Sequence, residues 1–151
     1  MYSYFSRFEH YLTKSFNKTA SLMAYSCRAN AVLAGVNGSM VEHAFQYGRN
    51  IGIAFQLVDD LLDAAADLKL GLATAPVLFA AEKFPELNDM IGRRFEEDGD
   101  VEKAFKLVQE SGGLEETRVL AKKHCDAAIV ALEHFDDSEY KTALVNMCDK
   151  V

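Results

Sequence analysis

The sequence contains only two prolines, Pro76 and Pro85, among its 151 residues. Proline ends or kinks a helix, so its scarcity leaves long stretches of the chain free to be helical. No stretch shows the strict alternation of apolar and polar residues that indicates a half-buried strand. We therefore predict an all-α protein, whose amphipathic helices pack as an antiparallel bundle.

Capping signals predict where the helices begin. The predicted helices begin at Ser6, Ser39, Thr74, Pro85, Asp100, Leu114 and Ser138. The first two are long and end at Gly35 and at about Ala66, and Gly112 ends the helix that begins at Asp100. The sequence contains no internal repeat, low-complexity segment or second domain, so residues 1–151 are predicted to form a single helical domain.

The composition argues against several classes of function. The 23 acidic and 16 basic residues give a formal net charge of -7, whereas nucleic-acid binding depends on clustered Lys and Arg. The three cysteines form no CxxC pair, so neither a disulfide framework nor a zinc site is indicated. No uninterrupted apolar stretch of about 18 residues is present. We therefore predict no nucleic-acid partner and no transmembrane segment.

Three aspartates, Asp59, Asp60 and Asp63, lie within five positions of a mostly apolar segment of the second predicted helix. Residues three or four apart share one face of a helix, so the carboxylates are predicted to point to one side while the neighbouring leucines pack elsewhere. Like charges in this arrangement repel one another unless a cation offsets them, and Mg²⁺ prefers carboxylate and phosphate oxygens. The pattern favours a magnesium site, although a solvated acidic face would have the same spacing.

Four segments resemble the trans-isoprenyl diphosphate synthases, particularly the long-chain polyprenyl enzymes that make quinone side chains. They are residues 18–22 (KTASL), 48–52 (GRNIG), 55–63 (FQLVDDLLD) and 67–77 (DLKLGLATAPV). The first resembles the family's KT-x-x-L helix, and the third resembles its second aspartate-rich motif. The order and the approximate spacing of the segments are also similar to those of the family.

This resemblance implies a fold and a reaction. The fold would be the helix bundle of the isoprenoid synthases, and the reaction would condense an allylic diphosphate with isopentenyl diphosphate, with Mg²⁺ as cofactor. Departure of the allylic diphosphate would leave a cation that the double bond of isopentenyl diphosphate attacks. Metal ions and lysines would stabilise the charge that builds up on the leaving diphosphate.

The resemblance also implies which residues carry the chemistry. Asp59, Asp60 and Asp63 would form the magnesium side, with Asp59 and Asp63 as the direct ligands. Asp59, Asp60 and Lys18 are therefore the candidate catalytic residues. Without the resemblance, Lys18 would be interpreted as a solvated lysine on an amphipathic helix.

Four residues are candidates for substrate binding. Lys18 and Thr19 would contact the allylic diphosphate. Gln56 would hydrogen-bond a ligand carboxylate or a diphosphate oxygen, although an ordinary polar residue on a helix face would suit this position equally well. Lys69 matches a family position near the mouth of the site.

The sequence departs from the family in two places. The family's first aspartate-rich motif lies well upstream of its KT segment, and this chain begins too late to contain it. Only three alanines separate Asp63 from Asp67, where family members carry a longer loop with a Gly-Lys pair. We therefore expect a carboxyl-terminal half of the bundle, without its amino-terminal helices and with little or no activity of its own.

Two hypotheses for function follow. The first is a trans-polyprenyl diphosphate synthase for the ubiquinone side chain, which acts in the mitochondrial matrix as a homo- or hetero-oligomer of prenyltransferase subunits. The alternative is a non-catalytic helical subunit or regulator of a prenyltransferase complex. Residues 1–16 include an acidic residue and lack an apolar core, so no targeting signal is predicted, and the resemblance alone implies the compartment.

Overall fold

The computed structural model describes the backbone of residues 4–151 and the side chains of residues 7–151. Its elements are α1 (Tyr4–Ser15), a π-helical turn (Phe16–Ala20), α2 (Ser21–Leu33), α3 (Gly38–Leu62), α4 (Ala64–Lys69), α5 (Ala75–Lys83), α6 (Leu87–Gly92), α7 (Asp100–Ser111), α8 (Gly113–Leu132) and α9 (Glu139–Cys148). No strand occurs within these residues, which confirms the predicted all-α class. None of the described helices combines the length and the apolar character that crossing a bilayer requires.

The helices divide between two compact units. Unit 1 contains the described residues up to Leu12 together with Leu57–Val119, and unit 2 contains Thr13–Gln56 and Leu120–Val151. Helices α1, α3 and α8 each contribute residues to both units. The single domain predicted for residues 1–151 stays a prediction.

Unit 1 has a core formed by α4, α5, α6 and α7. Its buried side chains are Leu68, Val77, Ala80, Ala81, Leu87, Met90, Phe95, Ala104, Leu107 and Val108. Helix α5 follows Thr74 as its N-cap and carries proline in its first turn, as predicted. Helix α7 ends at Gly112, whose φ of 77° lies in the left-handed region that favours glycine, so this predicted end is also confirmed.

Two predicted helix starts in unit 1 are wrong. Helix α6 begins at Leu87 and not at Pro85. Gly99 is the N-cap of α7, and Asp100 lies inside the helix. The Asp100 carboxylate accepts two hydrogen bonds of 2.7 Å from the Arg93 guanidinium, which hold the pKa of this carboxyl below its ordinary value. Its acceptor atoms are therefore used in an ion pair and not in capping.

Unit 2 has a separate core in which α3, α8 and α9 meet. Its buried side chains are Tyr47, Ile51, Ala128, Ala131, Leu132 and Cys148. Ser138 Oγ accepts a hydrogen bond of 3.1 Å from the backbone N–H of Lys141, which confirms the predicted cap of α9. Helix α8 runs from Gly113 to Leu132, so it starts one residue before the predicted Leu114.

The starts of the two long helices differ from the prediction. Ser6 lies within α1, which already includes Tyr4, so it does not begin that helix. Asn37, and not Ser39, caps the start of α3, because its side-chain oxygen accepts a hydrogen bond of 3.0 Å from the backbone N–H of Met40. Asparagine and serine cap helices about equally well, and the capping-box spacing of Ser39 and Glu42 favoured the wrong residue.

Candidate active site

Lys18 and Thr19 lie in the π-helical turn that joins α1 to α2. The backbone N–H of Ser21 bonds to the carbonyl of Phe16, five residues earlier. Such turns are rare, and they occur frequently at functional sites because the extra residue changes the direction of nearby side chains. The Lys18 side chain is exposed, and Thr19 is half-buried. The sequence predicted one continuous helix here and did not indicate the π turn.

Thr19 and Gln56 form the hydrogen bond that links this turn to α3 in unit 2. The Thr19 hydroxyl donates to Gln56 Oε1 at 2.7 Å. Gln56 is buried, with an exposed fraction of 5%. Both residues were predicted to bind substrate, and the structure brings them together, but the bond between them was not predicted.

Two glycines of the GRNIG segment allow α2 and the π turn to approach α3 closely. A Cβ atom at Gly48 would lie 2.5 Å from the backbone oxygen of Met23, and one at Gly52 would lie 2.6 Å from Cα of Ala20. Separations this short are clashes, so only glycine fits at either position. These glycines therefore set the distance across which Thr19 reaches Gln56.

The three aspartates of residues 55–63 lie at the end of α3, and they occupy different environments. Asp59 and Asp63 are exposed, whereas Asp60 is buried with an exposed fraction of 3%. The predicted helix to Ala66 is wrong, because α3 ends at Leu62 and Asp63 joins it to α4. Aspartate is a poor helix former because its side chain competes for backbone hydrogen bonds, which fits a break at this position.

The leucines beside the aspartates were predicted to pack elsewhere than on the carboxylate side, and they differ in burial. Leu57 is fully buried, but Leu62 is 80% exposed. One backbone hydrogen bond of the α-helical type is nonetheless present at the break, since the N–H of Asp63 donates to the carbonyl of Asp59 at 3.0 Å. Asp59 and Asp63 are thus one turn apart, as the spacing indicated.

Asp60 is buried among hydrogen-bond donors of unit 1. Its Oδ2 accepts the hydroxyl of Tyr11 at 2.5 Å and the backbone N–H of Ala75 at 3.4 Å. Ala75 is the first residue of α5, so this carboxylate also lies at the positive end of a helix dipole. Both interactions supply donors to the Asp60 side chain in its buried position.

A fourth carboxylate, Asp67, belongs to the same part of unit 1. Its backbone N–H donates to the carbonyl of Asp63 at 2.8 Å. Burial, and after it the charge of Asp60, raises the pKa of the Asp67 carboxyl, and the charges of Asp63 and Asp59 act in the same direction. The four carboxylates therefore produce a negative local field, which a bound cation would offset.

The donor set suits magnesium in its usual manner of binding. Within residues 7–151, no three His, Cys, Asp or Glu side chains form a group that could hold a metal ion by themselves. Mg²⁺ does not require such a group, because it keeps several waters and is usually held by one or two carboxylates together with substrate phosphates. Asp59 and Asp63, exposed and one turn apart, provide carboxylates of this kind.

Lys69 is the last residue of α4, and its side chain is exposed. Its predicted place near the mouth of the site stays a prediction.

The sequence did not indicate Tyr11 as a residue of the aspartate cluster, which we define as Asp59, Asp60, Asp63 and Asp67. Tyr11 and Asp60 are 49 positions apart, and no sequence motif includes both residues.

Comparison with known proteins decides the family. The family model described as polyprenyl synthetase matches residues 2–108. The chain belongs to the polyprenyl synthetase family. The predicted family is thereby confirmed.

Individual relatives of this polyprenyl synthetase chain support the same family. It is 52% identical, over 95% of its length, to the Yarrowia lipolytica protein named "Probable hexaprenyl pyrophosphate synthase, mitochondrial", and it covers 34% of that protein. The chain spans only 34–38% of the first curated relatives that it matches.

Solved structures share the fold. The apo form of an Arabidopsis medium/long-chain length prenyl pyrophosphate synthase is 33% identical, with a TM-score of 0.88 over 94% of this chain and 53% of that chain. A polyprenyl synthase from Caulobacter crescentus CB15, complexed with calcium and isoprenyl diphosphate, is 37% identical, with a TM-score of 0.79 over 92% of this chain and 47% of that chain. The predicted isoprenoid-synthase fold is therefore confirmed.

Proposed function

We propose that the protein functions as a trans-polyprenyl diphosphate synthase, a transferase that condenses an allylic diphosphate with isopentenyl diphosphate. The observation that carries this proposal is the pair of exposed carboxylates, Asp59 and Asp63, one turn apart in a chain of the polyprenyl synthetase family. Relatives named hexaprenyl and solanesyl diphosphate synthases support the long-chain product. The activity of the 151-residue chain alone stays a prediction.

The relatives' names support a mitochondrial compartment for the protein. The relatives from Yarrowia lipolytica and Neurospora crassa are named "Probable hexaprenyl pyrophosphate synthase, mitochondrial", and that from Saccharomyces cerevisiae is named "Hexaprenyl pyrophosphate synthase, mitochondrial". We place the protein in the mitochondrial matrix, where its product would become the ubiquinone side chain. We also propose that it works in a homo- or hetero-oligomer with prenyltransferase subunits.

The aspartates are proposed to form the magnesium side of the site. Asp59 and Asp63 would be direct ligands, and Asp60, which is buried and hydrogen-bonded, would support them. Bound Mg²⁺ would supply positive charge that stabilises a leaving diphosphate. The negative field that raises the pKa of Asp67 favours a cation at the same place.

The π-helical turn is proposed to bind the diphosphate of the allylic substrate. The exposed ammonium of Lys18 would pair with phosphate oxygens, and the Thr19 hydroxyl, which donates to Gln56 Oε1 in this structure, would instead donate to a phosphate oxygen when the substrate binds. Gln56, which accepts the Thr19 proton at 2.7 Å, would hold this hydroxyl in place until the diphosphate binds. Lys69 would add a second positive charge to substrate binding.

One observation favours the alternative, a non-catalytic helical subunit or regulator. Asp63 and Asp67 are joined within a single helical turn by a backbone hydrogen bond of 2.8 Å, so no loop with a lysine lies between them. The resemblance implies such a lysine in active members of the family. A protein that lacks it could retain the fold and pair with a catalytic subunit.

Binding of geranylgeranyl diphosphate, measured by calorimetry with and without Mg²⁺, tests the proposal. The enzyme hypothesis expects magnesium-dependent binding that Asp59→Ala abolishes, because a direct ligand is lost. Asp126→Ala is the matched control, since it removes an exposed aspartate from α8, in unit 2. Binding that is indifferent to Mg²⁺ and to both substitutions would favour the regulator.

A condensation assay tests the activity itself. The purified chain would be incubated with Mg²⁺, farnesyl or geranylgeranyl diphosphate and labelled isopentenyl diphosphate. Long prenyl products that depend on Asp59 would establish catalysis by the chain. Magnesium-dependent binding without product would show that the substrate site forms but that the isolated chain does not turn over.

A further inference from the structure

Asp60 connects three helices of unit 1 through one oxygen atom. Its Oδ2 accepts the Tyr11 hydroxyl from α1 and the Ala75 N–H from α5, while its own backbone belongs to α3. Asp60 and Tyr11 are both buried, with exposed fractions of 3% and 9%. A buried carboxylate with two donors on one oxygen is held in a fixed orientation.

Tyr11 is itself held in place by the rest of α1. Phe8, one turn earlier, packs on Phe79 of α5 with ring centroids 4.9 Å apart, and it lies 5.7 Å from the Tyr11 ring. The Arg7 guanidinium donates to Asn88 Oδ1 at 2.6 Å. These contacts anchor the start of α1 to unit 1 independently of Asp60. The Tyr11 hydroxyl is thus a fixed point to which the end of α3 is attached.

We propose that Tyr11 is a positioning residue of the magnesium site, which acts through Asp60 to fix the turn of α3 that presents the Asp59 and Asp63 carboxylates. This inference rests on the proposed function, because it assigns Tyr11 a task in binding the same metal ion. It divides the aspartate motif into two exposed ligands and one buried anchor. The anchor is sequence-adjacent to Asp59, so a shift of Asp60 moves Asp59 with it.

The physical basis is the cost of leaving a buried carboxylate short of a donor. Without the Tyr11 hydroxyl, Asp60 Oδ2 loses the nearer of its two donors, and we expect the side chain to shift. We expect such a shift to move the last turn of α3 and to change the separation of the Asp59 and Asp63 carboxylates. Residues that orient metal ligands in this way typically change metal affinity by roughly 10- to 100-fold when they are substituted.

Binding of Mn²⁺ to the full chain in the presence of geranylgeranyl diphosphate, followed by electron paramagnetic resonance of the free ion, tests the proposal. Mn²⁺ takes the same oxygen ligands as Mg²⁺. Tyr11→Phe removes only the hydroxyl, and we expect it to weaken Mn²⁺ binding by roughly tenfold. Tyr47→Phe is the matched control, because Tyr47 is also buried and its hydroxyl donates to the carbonyl of Leu144 at 3.1 Å in unit 2.

The two tyrosine variants separate positioning from stability. Both are expected to lower the melting temperature, but only Tyr11→Phe is expected to change Mn²⁺ affinity. Circular dichroism of each variant checks that it is folded. Equal Mn²⁺ affinity of Tyr11→Phe and the unsubstituted chain would overturn the inference while leaving the magnesium site itself intact.

Asparagine substitutions provide a second test that does not depend on Tyr11. An amide oxygen at position 60 can still accept from the two donors, so Asp60→Asn is expected to weaken Mn²⁺ binding less than Asp59→Asn does. An equal or larger loss in Asp60→Asn would make Asp60 a ligand and would overturn its role as an anchor. Absence of Mn²⁺ binding by the unsubstituted chain would instead overturn the proposed function, and this inference with it.

Discussion

The hydroxyl of Thr19 donates a hydrogen bond of 2.7 Å to the amide oxygen of Gln56, which lies 37 positions later in the chain. This bond joins the π-helical turn to α3 within unit 2. It fixes the orientation of the Gln56 amide, because a donor to Oε1 distinguishes the two ends of the side chain. Residues 18–22 are therefore coupled to the part of α3 that contains Gln56.

Substitution of Thr19 by valine is expected to lower the free energy of unfolding by about 1 kcal/mol, because valine keeps the shape but removes the donor to a buried amide oxygen. Thr19→Ser keeps the hydroxyl and is the control. Urea denaturation of both variants measures the difference. If Thr19→Val were as stable as Thr19→Ser, the hydrogen bond would make no net contribution to stability.

Alanine at Gly48 is expected to destabilise unit 2 by about 1–3 kcal/mol, because the added Cβ would lie 2.5 Å from the backbone oxygen of Met23 and the helices would have to separate. Gly38→Ala is the matched control, since a Cβ there meets nothing within 4 Å and alanine favours the start of α3. Thermal unfolding measures the difference. The melting temperature is expected to fall for Gly48→Ala and to rise or stay unchanged for Gly38→Ala. A neutral Gly48→Ala would contradict the close approach of α2 and α3.

His124 is expected to make the protein less stable in mild acid. Burial, and after it the charge of Arg49, lowers the pKa of His124, whose Nδ1 lies 2.8 Å from Asn50 Oδ1. The Asn50 amide nitrogen donates to the carbonyl of Gln46, so its oxygen is the acceptor and the neutral imidazole donates from Nδ1.

The unfolded chain therefore binds a proton at this histidine more readily than the folded chain does. The stabilisation is fully present above the unfolded pKa of about 6.5 and is lost as the pH falls through the lower folded pKa. Unfolding by urea, measured between about pH 7.5 and pH 5, should show this loss, and His124→Gln should reduce it. The exposed His10 provides the control: an equal effect of His10→Gln would remove the assignment to His124.

Local signals in the sequence were sufficient for the fold class and for several helix ends. The scarcity of proline predicted the all-α protein, and Thr74, Gly112 and Ser138 mark the ends they were predicted to mark. These signals work because capping and left-handed backbone depend on residues that are close in sequence. The Asp59 and Asp63 spacing was likewise readable, since helix geometry fixes it.

Local signals of the same kind gave wrong predictions where contacts in the folded chain favoured another residue. Asn37 and Ser39 are both good caps, and only the folded backbone shows that the N–H of Met40 reaches Asn37. Asp100 has the chemistry of a cap, but Arg93 holds its carboxylate in an ion pair. The apolar pattern predicted that α3 continues to about Ala66, but the helix ends at Leu62, before Asp63.

The sequence by itself determined the family, the all-α class and the residues that bear charge, because these depend on residue identity and on spacing along one helix. Only the tertiary structure decided that Asp60 is buried and hydrogen-bonded to Tyr11, while Asp59 and Asp63 remain exposed. Burial depends on which distant helices pack against a given turn. Contacts between residues tens of positions apart leave no periodic signal in a single sequence.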